Sequence, residues 1–182
     1  MSTTTTEVRR TLTGTWGLDP VHSSVGFEVP YLTGTFKGQF RNVEAQIAVD
    51  DSEATLEGGA KVDSVDVKDE NLAAHLQSPD FFDAQRHPEL RFTANDIDLD
   101  SETVRARGEL TIKGITKPVE VTGTLTAPIA DAYGNERIGL ELLTTVNRHD
   151  FGVSWNVPLP TGQQAVGDEV KIVTELYFVR AD

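Results

Sequence analysis

The sequence contains no cysteine. Disulfide staples and thiol chemistry are therefore excluded, and the absence fits a reducing compartment. Long apolar runs are missing as well. No run exceeds Leu176-Tyr177-Phe178-Val179, far short of the ~20 residues of a membrane-spanning helix. The opening MSTTTTEVRR has no apolar h-region and does not read as a secretory signal, so the expected location is cytoplasmic. Positive charge is scarce. Against 16 Lys and Arg stand 29 Asp and Glu, a formal net charge of −13. That surplus repels nucleic acid and anionic bilayers and keeps a protein in solution. Nucleic acid and stable membrane insertion are therefore not expected.

Catalytic signatures are also lacking. There is no Gly-x-Ser-x-Gly elbow, no Gly-x-Gly-x-x-Gly, no Walker loop and no His-Glu-x-x-His. The histidines His22, His75, His87 and His149 stand singly, and none forms an i, i+4 metal pair. No metal site and no catalytic residue set is expected.

What the sequence does have is alternation. Val43, Ala45, Ile47 and Val49 alternate with Asn42, Glu44 and Gln46, and Val104, Ala106, Gly108, Leu110 and Ile112 with Arg105, Arg107, Glu109 and Thr111. The same period of two recurs through 54–62, 90–95, 119–125, 138–146 and 170–178. One wet and one dry face per strand indicates antiparallel pairing. Turn signals separate the runs, at Asp50-Asp51-Ser52, Asp98-Leu99-Asp100-Ser101, Lys113-Gly114 and Tyr133-Gly134-Asn135. With a pair of strands in 12–30, the expected fold is all-β, an antiparallel barrel of about eight strands. The 182 residues suit one domain, 12–182, behind a disordered tail at 1–11.

One stretch breaks the pattern. In HLQSPDFFDAQRHPELRF, residues 75–92, Phe81 and Phe82 are adjacent, and a strand would send one of them to water. Leu72 and Leu76 lie one helical turn apart, with Asp69 and Glu70 before them. Ser78-Pro79-Asp80 reads as a second helix start. The expectation is a short helical insertion around 70–86 that carries both phenylalanines, ended by His87-Pro88. Two readings of it stay open: the insertion lines a barrel cavity, or it packs as a core crossover. The small dry-face residues, among them Ala45, Gly58, Ala60, Gly108 and Gly123, have two readings too. They leave space for a ligand, or they mark bends and close strand approaches. The stretch 147–156 mixes aromatic and hydrogen-bonding residues. Phe151 and Trp155 suit the wall of an apolar site, and Arg148 and Asn156 suit a polar head group.

These residues resemble a known family, the YceI-like, polyisoprenoid-binding proteins. The resemblance runs from Trp16 to Phe178. Leu18-Asp19-Pro20-Val21-His22-Ser23 with Phe27 is similar to the family's opening, and Gly38-Gln39-Phe40 to the block that follows. His75-Leu76-x-Ser78-x-Asp80-Phe81-Phe82, with His87-Pro88 and Phe92, is the most specific block. Leu110 to Val119, Arg148-x-Asp150-Phe151-Gly152 and Val166-Gly167-Asp168-x-Val170 complete it. Two departures stand out: Tyr31-Leu32 where many relatives have His-Leu, and Leu72-Ala73 where many have Arg-Asp. The resemblance implies a lipocalin-like barrel, a homodimer, and an elongated tunnel for a long isoprenoid quinone or polyprenyl lipid. It implies no cofactor beyond that lipid. The residues expected at the ligand are Phe27, Phe36, Phe40, Leu72, His75, Leu76, Phe81, Phe82, Phe92, Arg148, Phe151, Trp155 and Asn156.

Three functions fit. A binding module holds an isoprenoid lipid without changing it. An enzyme acts on a lipid or quinone, with His75, His149 or Asp150 as acid–base groups. A ligand-free protein has a filled barrel. The first is the expectation, because apolar contact alone retains a long chain and needs no catalytic motif.

Overall fold

The structure is a computed structural model that describes residues 10–100 and 102–181. Its described strands form one antiparallel sheet: β1 (Gly14–Leu18), β2 (Ser24–Tyr31), β3 (Gly34–Phe40), β4 (Val43–Val49), β5 (Ala54–Lys61), β6 (Val65–Asp66), β7 (Glu89–Asp100), β8 (Thr103–Ile112), β9 (Ile115–Leu125), β10 (Ile129–Ala130), β11 (Glu136–Asn147) and β12 (Glu169–Arg180). Eight of them close a barrel in the order β4, β1, β12, β11, β9, β8, β7, β5, sealed by the β11–β12 ladder. This is the expected all-β architecture.

Alternation becomes orientation here. On β8, Val104 and Ala106 are buried while Arg105 and Arg107 are exposed. The outward arginines pair across the sheet surface, Arg105 and Arg107 both with Glu120. The hairpin turns follow their chemistry. The Asp50 carboxylate accepts from the backbone of Ser52 and Glu53 at 2.8 Å each. Lys113 and Gly114 both have positive φ, 53° and 75°, as a two-residue β8–β9 turn demands. At the β7–β8 connection the turn comes later than its composition suggests. Asp98 and Leu99 still belong to β7, where Leu99 pairs with Val104 and is buried.

β12 organises the two ends. It pairs with β1 opposite residues 178–180 and with β2 opposite residues 171–175. At one end β1 thus completes the ring. At the other the β2–β3 hairpin takes its place and continues to β6, not to β4. A helix, α1 (Glu70–Gln77), and the turns after it pack there against Phe40, Val43, Ala60 and Val65.

The end closed by β1 is a dry core. Trp16 and Phe178 are fully buried in it, with Leu56, Leu99, Leu140 and Leu176. Residues 10–12 are helical, and Leu12 is buried, its carbonyl accepting the Trp16 indole N–H at 2.8 Å. Of the expected tail at 1–11, residues 1–9 lie outside the described residues, and residues 10 and 11 are helical. The Arg180 guanidinium covers the Trp16 ring, 4.2 Å from its centroid.

Candidate functional site

The other half of the barrel is hollow. A cavity of about 470 Å³ lies between the inward faces of the strands, α1 and the loop before β12. That volume is in the ~300–1,000 Å³ range of small-molecule sites. The small-residue question divides by position. Ala45, Gly58 and Ala60 border the cavity, so there small side chains leave space. Ala54, Ala94 and Ala106 fill the dry core. Gly108 and Gly123 admit close strands: a Cβ on them would stand 2.2 Å from Thr93 O and 1.6 Å from Glu141 O.

The insertion builds one wall. The Asp69 carboxylate caps α1 by accepting from Leu72 N–H at 3.0 Å. The expected second helix at Ser78 does not form. The Ser78 hydroxyl donates back to His75 O at 2.6 Å, and Phe82 N–H returns to Leu76 O at 2.9 Å. Asp83 then takes a left-handed φ of 52°. Backbone donors that return to α1 cannot start a new helix, so 78–87 is a run of turns. Lys113 fastens it from below, its ammonium donating to Pro79 O at 2.6 Å and Gly152 O at 3.2 Å.

These turns send Phe81 and Phe82 to different partners. Phe82 packs edge-on against Phe40 and Phe27, with centroids 5.7 and 6.1 Å apart. Phe27 also meets Phe36 at 6.1 Å. Gly38 makes this possible, because a Cβ there would stand 2.5 Å from the Phe27 ring. Phe81 instead joins His75 at 4.9 Å and Trp155 at 5.3 Å, and His75 meets Trp155 at 4.8 Å. Both phenylalanines border the cavity.

Of the thirteen residues expected at a ligand, twelve border this cavity: Phe27, Phe36, Phe40, Leu72, His75, Leu76, Phe81, Phe82, Phe92, Arg148, Phe151 and Trp155. Asn156 does not. Its amide clips the loop, donating to Val166 O and accepting from Val166 N–H, both at 2.8 Å. Arg148 is nearly fully buried, yet its guanidinium is occupied. It donates to Gly167 O (2.7 Å), Val153 O and Trp155 O (2.8 Å each) and Val166 O (3.4 Å). Burial lowers its pKa from the ordinary arginine value. Both side chains, expected at a head group, hold this loop. The cavity wall also includes Val25, Val29, Tyr31, Leu90, Ile112, Val119 and Val170. Their signal was the alternation itself, which marks a residue as inward without saying which half of the barrel it faces.

The candidate acid–base groups separate in space. His75 borders the cavity with Nε2 3.0 Å from Asp80 Oδ2. His149 and Asp150 do not border it. His149 lies between Asp168 (2.8 Å) and Ser154 (3.1 Å) on exposed loops. Among the described residues no group of His, Asp and Glu is gathered as a metal would need. No helix among them is long and apolar enough to cross a membrane.

Comparison with known proteins agrees with this architecture. The family model for the YceI-like domain matches residues 16–178. The chain belongs to the YceI-like family. A UPF0312 protein of Photorhabdus laumondii is 30% identical over 152 residues, 79% of this chain and 77% of that protein. A UPF0312 protein of Staphylococcus epidermidis is 30% identical over 171 residues, 90% of this chain and 96% of that one. Among YceI-like structures, that of the Campylobacter jejuni YCEI protein has a TM-score of 0.70 at 27% identity, over 91% of this chain and 97% of that one. A polyisoprenoid binding domain from Saccharophagus degradans, implicated in plant cell wall breakdown, has a TM-score of 0.71 over 91% of this chain and 98% of that one. At 14% identity the latter likeness shows the shared fold alone.

Proposed function

We propose that this protein holds and carries a long-chain isoprenoid lipid, a quinone or polyprenyl compound, in the hollow half of its barrel and does no chemistry on it. The observation that carries the reading is the apolar cavity of about 470 Å³ walled by the aromatic rings of Phe27, Phe36, Phe40, Phe81, Phe82 and Trp155. Each CH₂ buried there contributes roughly 0.8 kcal/mol, so several isoprene units offset the entropic cost of capture. The polar lining favours an uncharged head. Arg148 is held by carbonyls, His75 by Asp80 and Arg91 by Glu44, so each of these cationic side chains on the lining already has a partner. The Saccharophagus degradans neighbour, described as polyisoprenoid-binding, supports the ligand class. Of the three candidate acid–base groups, His75, His149 and Asp150, His75 alone borders the cavity, which favours binding over turnover.

Titration with an isoprenoid quinone tests this. Trp155 borders the cavity and Trp16 lies in the dry core. We expect saturable quenching of Trp155 emission at one quinone per chain, and its loss in Trp155→Phe. Emission unchanged at saturating quinone would overturn the reading. A homodimer belongs to the same proposal, on the family resemblance. Light scattering at twice 19.9 kDa supports it, and the single-chain mass rejects it.

A further inference from the structure

The cavity lining includes Glu44 and Arg91, paired with each other at 2.9 Å, and at the end of β2 it reaches an exposed tyrosine. The inward face of β2 runs Val25, Phe27, Val29, Tyr31, one side chain per pleat. Tyr31 ends it, bordering the cavity and 46% exposed. The next residue, Leu32, is 56% exposed and sits at φ 51°, a conformation that turns usually give to Gly or Asn. Its N–H donates to Ala165 O at 3.0 Å, and Ala165 N–H donates to Val157 O at 3.0 Å. Val157 is 42% exposed. Backbone bonds through Ala165 thus link Leu32 and Val157 beside Tyr31, three exposed residues at one edge of the barrel.

No charged residue occurs in 29–36 or 151–167, although 25% of the chain is charged. Of the flanking charges, Lys37 pairs with Glu28 at 3.1 Å and Asp168 lies 2.8 Å from His149, while Asp150 is exposed. The exposed apolar residues at the other end differ. Val21, Ile129 and Tyr133 stand beside the ionised groups Asp19, Asp131 and Arg137.

We propose that the Tyr31–Leu32–Val157 edge docks onto an uncharged lipid bilayer, so that an isoprenoid passes between bilayer and cavity without crossing water. The proposal rests on the isoprenoid reading above and names where the ligand is exchanged. Tyrosine suits the head-group level, and leucine and valine suit the acyl boundary beneath it. Three side chains give a reversible contact, not an anchor. The net charge of −13 opposes docking on anionic bilayers, so the fitting surface is zwitterionic.

The test uses phosphatidylcholine vesicles that carry an isoprenoid quinone, with transfer into the full chain followed by Trp155 quenching. It compares wild type with the double variant Leu32→Asp, Val157→Asp. Neither residue borders the cavity, and Asp tolerates the φ that Leu32 adopts. We expect transfer from vesicles to slow about tenfold or more in the variant, with loading from dilute detergent unchanged. Equal vesicle rates in the two proteins would overturn the proposal. If wild type loads from neither source, the isoprenoid reading fails. Docking is then decided by quenching of Trp155 with acyl-brominated phosphatidylcholine, which supports it only if the variant abolishes it. A dimer that the variant splits, with no vesicle effect, would give the edge to a second copy and overturn docking.

Discussion

Arg148 shows what one side chain does for the site. Its fork gathers the carbonyls of Val153, Trp155, Val166 and Gly167, and so fixes the loop that presents Trp155 to the cavity. Arg148→Ala leaves those acceptors unpaired, and we expect about 3 kcal/mol of destabilisation. Denaturant unfolding and faster amide exchange across 153–167 check it. Arg148→Lys restores little, since an ammonium lacks the planar fork. Asp19 makes a second prediction. Its carboxylate is held at a pKa of about 2 by the hydrogen bond from His22 at 2.6 Å, with Arg137 adding a bond at 2.9 Å. Asp131 is held at about 2 chiefly by Arg137. Both folded values lie below the unfolded range of ~3.9. Their stabilisation is complete above about pH 4 and disappears as pH falls toward about 2. Arg137→Ala should raise both pKa values toward 3.8 in carboxyl-detected NMR and shift acid unfolding to higher pH. Unmoved values would contradict the pairing.

Among the elements, the segment after α1 carries the functional argument. Phe82→Asp places a carboxylate among the rings of Phe27 and Phe40, at a cost of about 2–4 kcal/mol. The dry core around Trp16 and Phe178 does not touch Phe82, so the barrel should stay folded by circular dichroism while isoprenoid retention is lost. Retention equal to wild type would contradict the site. Much of this level was legible in the sequence. Val104 and Ala106 against Arg105 and Arg107 announce a one-sided strand, because a residue's face on a strand follows from parity alone. Asp69 and the Leu72–Leu76 spacing announce α1. Ser78 misled, because a serine caps a helix start and closes a helix end with similar hydrogen bonds. The choice was made by the Phe82 N–H and the left-handed Asp83. The loop-holding bonds of Arg148 and Asn156 were not legible, because their partners are backbone carbonyls and amides of a loop. A side chain's identity does not reveal such partners.

At the scale of the whole molecule, the barrel is half core and half container. Composition hides that division. Ala54 and Ala106 serve the packed end and Ala45 and Ala60 the hollow one, with the same residue type on the same dry face. What decides is closure. β1 seals one end, while the β2–β3 hairpin, α1 and the Arg148 loop enclose space at the other. The packed end gives stability independent of the ligand, so emptying the cavity should leave the fold intact. A bound lipid should raise the melting temperature, and further as free lipid increases above its Kd, which scanning calorimetry with and without quinone measures. An isoprenoid held at the hollow end can be looked for directly. The most direct measurement extracts freshly purified protein with organic solvent and identifies the released molecules by mass spectrometry. We expect an isoprenoid at near one per chain. An empty extract that stays empty after incubation with isoprenoid quinones would contradict it.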